Sequence, residues 1–582
     1  MAGLTAGATP RPSGASRAML AVAAAIAFLA VCIRLWVSYR THSVGEDALI
    51  TLRYAENLAA GRGWCYNPGE RVLGTTTPLF TLLLAAGCVL RPTALSAGIG
   101  ISILADGITC FLIARLFARP ELGRPKAGLF AAAMYAVSST PISISISGME
   151  TALVTCVGMA AVHACIAGRS RELCLLGAAL FLLRIDGLLL FGLLLASHVV
   201  RSRRAPWPDV LLFLAMAIPW TLFATYYFGS PVPESVVAKL AVYSGRAWEP
   251  GAFAGNAEAF QSQFLLGWPQ RIITCAFLLG AMTIAVDVAF RVSSRRRNSA
   301  APSSLLAWIS DQQSHRANST DPTGEADTKP VSVSRVVANP DFAVLLAPLL
   351  WVLIYYAAML VSHVPAFPWY FLPPWPLFLS IAVLAMDGIL HAISNRRTSS
   401  SKIVDSPKST RALTNHSPPH PLTPSPPHPK AWTLALAVLI AAGLWHVRSV
   451  EHDIAAAQAL EDTVRRPIGE WLRRHAEKSD RVLLEPIGYI GYYSEMRVLD
   501  MIGLVSPEVL PFYRTSEPLR GIVSQLRPEW MCLRLRERDL LESGGTNLLT
   551  SDYDLIKEFP TASEPAFYVY KRRNARMRSV EN

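Results

Sequence analysis

Charge is scarce in this sequence. Of 582 residues only 16% are Asp, Glu, Lys or Arg, whereas 52% are hydrophobic and the mean hydropathy is +0.33. An average soluble domain carries about 25% charged residues, so a string of soluble domains is excluded, and the same figures exclude a disordered or collagen-like chain. A CxxC pair is missing among the nine cysteines, as are an internal repeat and a nucleotide-binding motif. Cys32, Cys88, Cys110, Cys156, Cys165, Cys174 and Cys275 fall in apolar runs, where cysteine serves as a small hydrophobe. Cys65 and Cys532 stand in polar surroundings, and a disulfide between them has little in the spacing to favour it. The net charge of +12 does not mark a nucleic-acid binder, which needs a basic stripe interleaved with aromatics on a soluble surface.

What is present is a series of apolar runs. A spanning helix takes about 20 mostly apolar residues. The candidate spans are 18–37, 94–117, 127–146, 151–167, 173–183, 188–200, 209–228, 272–290, 342–361, 371–390 and 432–447. The shorter, Pro-bearing run 75–90 is expected to lie along the membrane surface or dip into it. Every second connection is basic: Arg115, Arg119, Arg124 and Lys126; Arg169 and Arg171; Arg201, Arg203 and Arg204; Arg291, Arg295, Arg296 and Arg297; Arg396 and Arg397. The connections between them are poor in Lys and Arg, with none at all in 362–370. By the positive-inside rule this alternation predicts about eleven transmembrane helices, the N-terminus cytoplasmic and the C-terminal part extracytoplasmic.

Residues 1–447 are therefore read as an α-helical polytopic membrane domain, with a first outer loop at 38–74. The inner loops 298–340 and 391–431 are expected to be disordered connectors; the second holds SPPHPLTPSPPHPK, a polyproline-favouring run. After His446 the composition changes, and 448–582 reads as a small α/β domain. IGEWLRRHAEK has helical periodicity, RVLLEP, MRVLDM, EWMCLRL and AFYVYKR read as strands, and SPEVLPFY offers a Ser N-cap followed by Pro.

Ionisable residues collect on the outer side of this topology. Glu46 and Asp47 head DALITLRYAENLAAG, an amphipathic stretch expected to form a helix on the membrane, with Asp47, Thr51 and Tyr54 on one face. Capping alone would account for two acids at a helix start, where the dipole favours negative charge. Their company gives them more weight. Glu150 in SGMET, Arg184 and Asp186 in FLLRIDGLLLF, Glu234 and Lys239 in SPVPESVVAKL, and His363, Trp369 and Tyr370 in SHVPAFPWY fall on the same side. Residues 173–200 are too few for two full crossings, so the Arg184–Asp186 turn should sit below the membrane surface and line a water-accessible cavity; a local ion pair in one tilted helix is the plainer alternative. Glu485 and Asp500 beside IGYIG read as turn and strand-end residues, with contact to a glycan as the alternative.

The blocks GEDALITLRYAENLAAGRGWCYNPGERV, SGMETAL, LLRIDGLLLF, YYFGSPVPESVVAKL and PWYFLPPWPL resemble, in order and spacing, bacterial GT-C fold polyprenyl-phosphate-dependent glycosyltransferases, above all mycobacterial-type arabinofuranosyltransferases and protein-mannosyltransferase-like enzymes. LLEPIGYIGYYSEMRVLDMIGLVSPEVL is similar to their C-terminal extracytoplasmic domain. The resemblance implies a GT-C-like transferase of the cell inner (cytoplasmic) membrane that moves a hexosyl or pentosyl group from a polyprenyl-phosphate donor to a cell-envelope glycan, lipid or protein acceptor on the outer face. Two acids usually head the first outer loop of such enzymes; here one is Glu46. Trp369 stands where a basic residue is often found.

These readings converge on one chemical expectation. Asp47, with Glu46 beside it, is the catalytic candidate, a base for the acceptor hydroxyl. Arg184 and Lys239 are expected at the donor phosphate, and Glu150, Tyr54, His363, Trp369 and Tyr370 at the acceptor or sugar. Direct displacement predicts inversion. No metal-ligand set is complete, although acidic oxygens suit Mg²⁺ or Mn²⁺. The alternatives are a membrane transporter or lipid flippase, which would show internal repeats and mid-bilayer charge, and a non-catalytic envelope assembly protein, which would tolerate loss of the acids.

Overall fold

The computed structural model describes residues 14–90, 94–244, 252–299, 342–404, 429–543, 548–560 and 566–573. Most of both expected disordered connectors (300–341 and 405–428) lies outside the described residues.

The chain begins with α1 (Gly14–Thr41), α2 (Glu46–Ala59), α3 (Pro78–Leu90) and α4 (Ala94–Phe117). Next come α5 (Pro125–Val137), α6 (Ser139–Ser145), α7 (Thr151–Ile166), α8 (Ser170–Leu183), α9 (Gly187–Ser202), α10 (Trp207–Phe228) and α11 (Glu234–Ser244). Each expected apolar span falls largely on a helix. Among the described residues, however, six helices are long and apolar enough to cross a membrane, or up to seven if α5 and α6, bent by 56°, count as one. Four more apolar helices, Pro78–Val89, Thr151–Ile166, Gly187–Ser202 and Leu346–Val361, are shorter. The protein is thus a polytopic membrane protein by helix length and composition, and eleven full crossings are not established.

Small residues let these helices approach closely. A Cβ on Gly107 of α4 would collide with Val31 on α1. The α5–α6 bend has a local cause: Pro141 has no N–H to offer the carbonyl four residues back. Beside the bend, Arg34 of α1 donates to Ala136 O and, at 3.4 Å, to Tyr135 O, which also accepts from the Ser138 N–H. Arg34 also pairs with Asp106 at 2.7 Å, and the Tyr135 hydroxyl donates to Asp106 at 2.5 Å. Arg34 and Asp106 are wholly buried. This cluster ties three apolar helices together, and neither charge stood out in the sequence.

The expected domain boundary at 447/448 falls inside an unbroken helix, Pro429–Leu460, which continues through a π turn (Glu461–Arg465) into the amphipathic helix Arg466–His475. Composition changes there but nothing breaks a helix until Pro467, whose missing N–H coincides with the widened turn. Beyond it lies a five-stranded sheet of order β2-β1-β3-β5-β4, with β1 (Arg481–Leu484), β2 (Arg497–Asp500), β3 (Trp530–Arg534), β4 (Tyr553–Phe559) and β5 (Phe567–Arg572). β1 runs parallel to β2 and β3, and β5 antiparallel to β3 and β4. Four strands were legible; β4, largely exposed and interrupted by a register shift, was not. Ser506 does not cap the turn Pro507–Arg514, because its hydroxyl is engaged with Val498 O and Asp500 N. Cys65 and Cys532 are both buried and both free thiols.

The largest correction concerns α2. It does not lie exposed on a membrane surface. Ala48, Leu49, Ile50, Thr51, Leu52, Arg53, Tyr54, Ala55 and Asn57 are all buried, because α2 is wedged between the apolar helices and the α/β domain. Ile50 and Tyr54 share a core with Ile487, Ile490, Val498 and Val505, while Leu49 and Leu52 meet Ala94 and Tyr489. Arg53 fastens the wedge: its guanidinium donates to Tyr66 O at 3.0 Å, Gly491 O at 2.6 Å and Met496 O at 2.6 Å. The polar half of the amphipathic pattern was satisfied by protein, not by water.

Candidate functional site

A cavity of about 340 Å³ opens where α2, the 74–77 segment, the Met149–Glu150 turn, the α8–α9 turn, α11 and the Trp369–Tyr370 turn meet. Its lining includes Asp47, Thr51, Glu150, Arg184, Asp186, Ser235, Lys239, Trp369 and Tyr370. Seven of these were picked out from separate stretches of sequence. Three carboxylates (Asp47, Glu150, Asp186) face two cations (Arg184, Lys239) in this space.

Arg184 sits in the break between α8 and α9, where its backbone is extended (ψ 132) and Gly187 begins the next helix. The charged turn therefore does line a cavity. The guanidinium grips Asp186 through Nε at 3.0 Å and Nη2 at 2.9 Å, and donates from Nη1 to Glu150 at 3.2 Å. It also lies 5.4 Å from the Tyr370 ring centroid, and Tyr355 reaches Asp186 at 3.4 Å. With two carboxylates already on its fork, Arg184 is first an organiser of acids. Lys239 stands over the Phe367 ring at 5.3 Å, and its compact ammonium is the cation better placed to meet an incoming anion.

Glu46 and Asp47 are adjacent in sequence but serve different places. Asp47 lines the cavity; burial raises its pKa, opposed by the positive charge of Lys239 and Arg184. A raised pKa makes a carboxylate a stronger base. Glu46 points the other way, accepting from the backbone N–H of Gly488 and, at 3.2 Å, of Tyr489 in the α/β domain. A Cβ on Gly488 would collide with Glu46, so the close dock needs glycine there. Burial, and next the charge of Glu461, pushes Glu46 up to about 8. The acid pair is thus not a dyad in the cavity: Asp47 alone faces it.

Tyr54 does not line the space either. Its hydroxyl donates to Val72 O at 2.7 Å and accepts from Gly74 N at 2.9 Å, shaping the 74–77 wall from behind. His363 is exposed and outside the cavity. Glu150 is buried, its carboxyl pKa raised by burial and opposed by Arg184. The residues that sequence reasoning missed are hydroxyls. Thr75 and Thr77 line the wall with their Oγ1 atoms 3.1 Å apart. Ser235, one helical turn before Lys239, is 7% exposed, and its Oγ has no hydrogen-bond partner among the described residues. A buried hydroxyl left unpaired is costly unless a ligand or water meets it. The only signal was the i, i+4 spacing of Ser235 and Lys239 on α11.

Among the described residues no three His, Cys, Asp or Glu side chains converge as a metal site. Arg184 already occupies two of the cavity's three carboxylates, so the oxygen donors in the cavity fall short of the set that Mg²⁺ or Mn²⁺ takes.

The comparisons with known proteins bear on different parts of the chain. Residues 452–574 match the family model "Domain of unknown function (DUF8728)". Over 243 residues, 37% of this chain, the protein is 30% identical to the terminal beta-(1->2)-arabinofuranosyltransferase of Mycobacterium tuberculosis (strain ATCC 25618 / H37Rv). The match spans 38% of that relative's length. Among solved structures, ArnT from Cupriavidus metallidurans in the apo state aligns with a TM-score of 0.47 and 13% identity over 96% of this chain and 97% of that one. The same protein bound to undecaprenyl phosphate gives 0.42 and 12% over 96% and 98%.

Proposed function

We propose that the protein is an integral-membrane glycosyltransferase. It moves a sugar from a polyprenyl-phosphate donor to a cell-envelope glycan, lipid or protein acceptor on the outer face of the inner membrane. The observation that carries this reading is the convergence of Asp47, Glu150, Arg184, Asp186 and Lys239 on one cavity between apolar helices and the α/β domain. The 30% identity to an arabinofuranosyltransferase over 243 residues supports it and makes an arabinofuranosyl group the first donor sugar to test.

The chemistry follows from the placement. A polyprenyl chain is confined to the bilayer, so its phosphate and sugar reach an enzyme at the interface, where this cavity sits in the proposed topology. Lys239 receives the phosphate as a point charge, with Ser235, Thr75 and Thr77 as hydroxyl partners. Arg184 holds Glu150 and Asp186 in place and adds positive potential as charge grows on the departing phosphate. Asp47 takes the proton of the acceptor hydroxyl while that oxygen forms its bond to the anomeric carbon and the carbon–phosphate-oxygen bond breaks. General-base assistance of this kind is worth about 10²–10⁴-fold, and a single displacement inverts the anomeric centre. The ring faces of Trp369 and Tyr370 supply a stacking wall for the sugar.

Full-length protein in lipid nanodiscs, given a radiolabelled polyprenyl-phosphate arabinofuranose and an arabinofuranosyl oligosaccharide, should yield a labelled, lengthened glycan. A labelled solute that crosses a vesicle membrane without any glycan product would replace this reading by a transporter.

A further inference from the structure

A groove of about 380 Å³ runs between α5, the helix Trp375–Val404 and the helix Pro429–Leu460. Phe130 and Met134 of α5, Met386 and Leu390 of the second helix, and Trp432 and Ala435 of the third line it. It lies at the start of α5, whereas the candidate cavity is reached past the far end of α5, at the Met149–Glu150 turn. The proposed reaction leaves it unused.

Protein packing sets the walls. Phe130 meets the Trp432 ring edge-on, with centroids 5.3 Å apart. Further along the same helix a Cβ on Gly443 would collide with Val137, at the far end of α5. The helix is thus held against α5 at two levels, and close packing there keeps a small shift from closing the groove. Leu390 and Ala435 are exposed, so the groove opens on the outside of the helical body, where a membrane protein meets lipid.

Its chemistry selects a class of ligand. From Ala127 to Met134 the apolar floor runs about 10 Å along α5. Asp387 is the one charged residue among the described lining, and Arg124 occupies it at 3.2 Å. Lys126 forms no ion pair among the described residues; its ammonium stands 5.7 Å from the Trp432 ring centroid. An apolar slot is therefore topped by an indole and an uncompensated ammonium, the order that suits a bilayer's headgroup boundary. A sugar or nucleotide would find almost no hydrogen-bond partners along this wall. The chain's own segment 405–428 has Leu413 and Leu422 as its only large apolar residues besides proline, too few to fill the slot.

We propose that this groove binds an anionic glycerophospholipid, one acyl chain lying against Phe130, Met134 and Met386 and the phosphodiester meeting Lys126. In the topology expected from the basic connections it opens to the cytoplasmic leaflet, whose anionic lipids are drawn to Lys and Arg beside membrane helices. The site is independent of the proposed transferase reaction. A lipid held only by the folded protein also stabilises it.

The test uses delipidated full-length protein in non-ionic detergent. It is titrated with phosphatidylglycerol or with phosphatidylethanolamine of the same acyl chains. Native mass spectrometry follows the first lipid bound, and the melting temperature is read alongside. The native protein should prefer phosphatidylglycerol by about fivefold, the worth of one cation beside an anionic headgroup, and should melt higher in its presence. Lys126→Gln should lose the preference and Lys126→Arg should keep it. Ala435→Trp fills the groove from an exposed position and should weaken both lipids at least about tenfold, because displacing two buried methylenes already does so. Ala435→Ser is the control for folding at that position. No preference in the native protein, an equal preference in Lys126→Gln, or native binding in Ala435→Trp overturns the inference. Binding that appears only after 405–428 is replaced by a Gly/Ser linker assigns the groove to the chain's own segment and overturns it too.

Discussion

Two arginine–carboxylate clusters sit in this molecule, and they differ in what they face. Arg34 and Asp106 are sealed, both side chains at 0% exposure, and every polar neighbour is protein: Tyr135 on the acid, helix-end carbonyls on the guanidinium. Arg184 with Glu150 and Asp186 is buried on one side only. Asp186 is 37% exposed, and Asp47, Lys239 and Ser235 line the same open space. The first cluster ties helices together beside a bend. The second holds charge ready beside a cavity. Burial of a charge in an apolar region is therefore not by itself a sign of function; the open face is.

Substitutions should separate the two clusters. Arg34→Ala leaves Asp106 buried without its partner and strips donors from the end of α5. Breaking a buried pair in this way costs about 3–5 kcal/mol, so the detergent-solubilised protein should melt much earlier or fail to accumulate. The joint replacement Arg34→Met with Asp106→Leu should recover most of that loss. If the single variant melts like the native protein, the cluster is not structural.

Arg184→Ala should behave in the opposite manner. Loss of positive potential beside the departing phosphate should lower kcat/KM for transfer by about 10²-fold, with a smaller change in melting temperature than Arg34→Ala. A large melting change with native turnover would move Arg184 into the structural class.

A different kind of effect, on stability as pH changes, is expected at Glu46, which joins α2 to the α/β domain. Its folded pKa of about 8 lies above the usual 4.5, so the folded state holds this proton more tightly than the unfolded chain. Stability is then favoured at low pH and declines as pH rises from the ordinary carboxylate range through about 8. Arg465 and the Tyr489 amide oppose the rise, and the value of about 8 already includes them. Hydrogen exchange at Gly488 and Tyr489 should quicken with pH in that window, and Glu46→Gln should remove the dependence. Equal pH dependence in both proteins would exclude Glu46 as the titrating group.

Much of the plan was legible. An α-helical membrane body with a C-terminal α/β domain follows from apolar run length and the change of composition near His446. The gathering of Asp47, Glu150, Arg184, Lys239, Trp369 and Tyr370 followed from charge placement and from family likeness. What stayed hidden depended on neighbours distant in sequence. Asp106 is 72 positions from Arg34, and each looks like a stray charge in an apolar run. Nothing local tells Glu46 from Asp47; successive helical residues simply point about a quarter-turn apart, one into the cavity and one into a domain that begins some 400 residues later. His363 shared a motif with Trp369 and Tyr370 but not their side of the turn. Helix count was also beyond reach, because short apolar helices such as α7 and α9 pass a composition test without the length of a full crossing.

The central claim is that Asp47 is the proton acceptor in the cavity. The most direct measurement is the pH–rate profile of sugar transfer for the native protein and for Asp47→Asn, on matched, correctly folded preparations. The account predicts that native turnover rises with pH through the titration of a carboxylate above the usual aspartate range. It further predicts that Asp47→Asn loses about 10²–10⁴-fold and, with it, that rising limb. Native turnover, or an unaltered rising limb, in Asp47→Asn would contradict it.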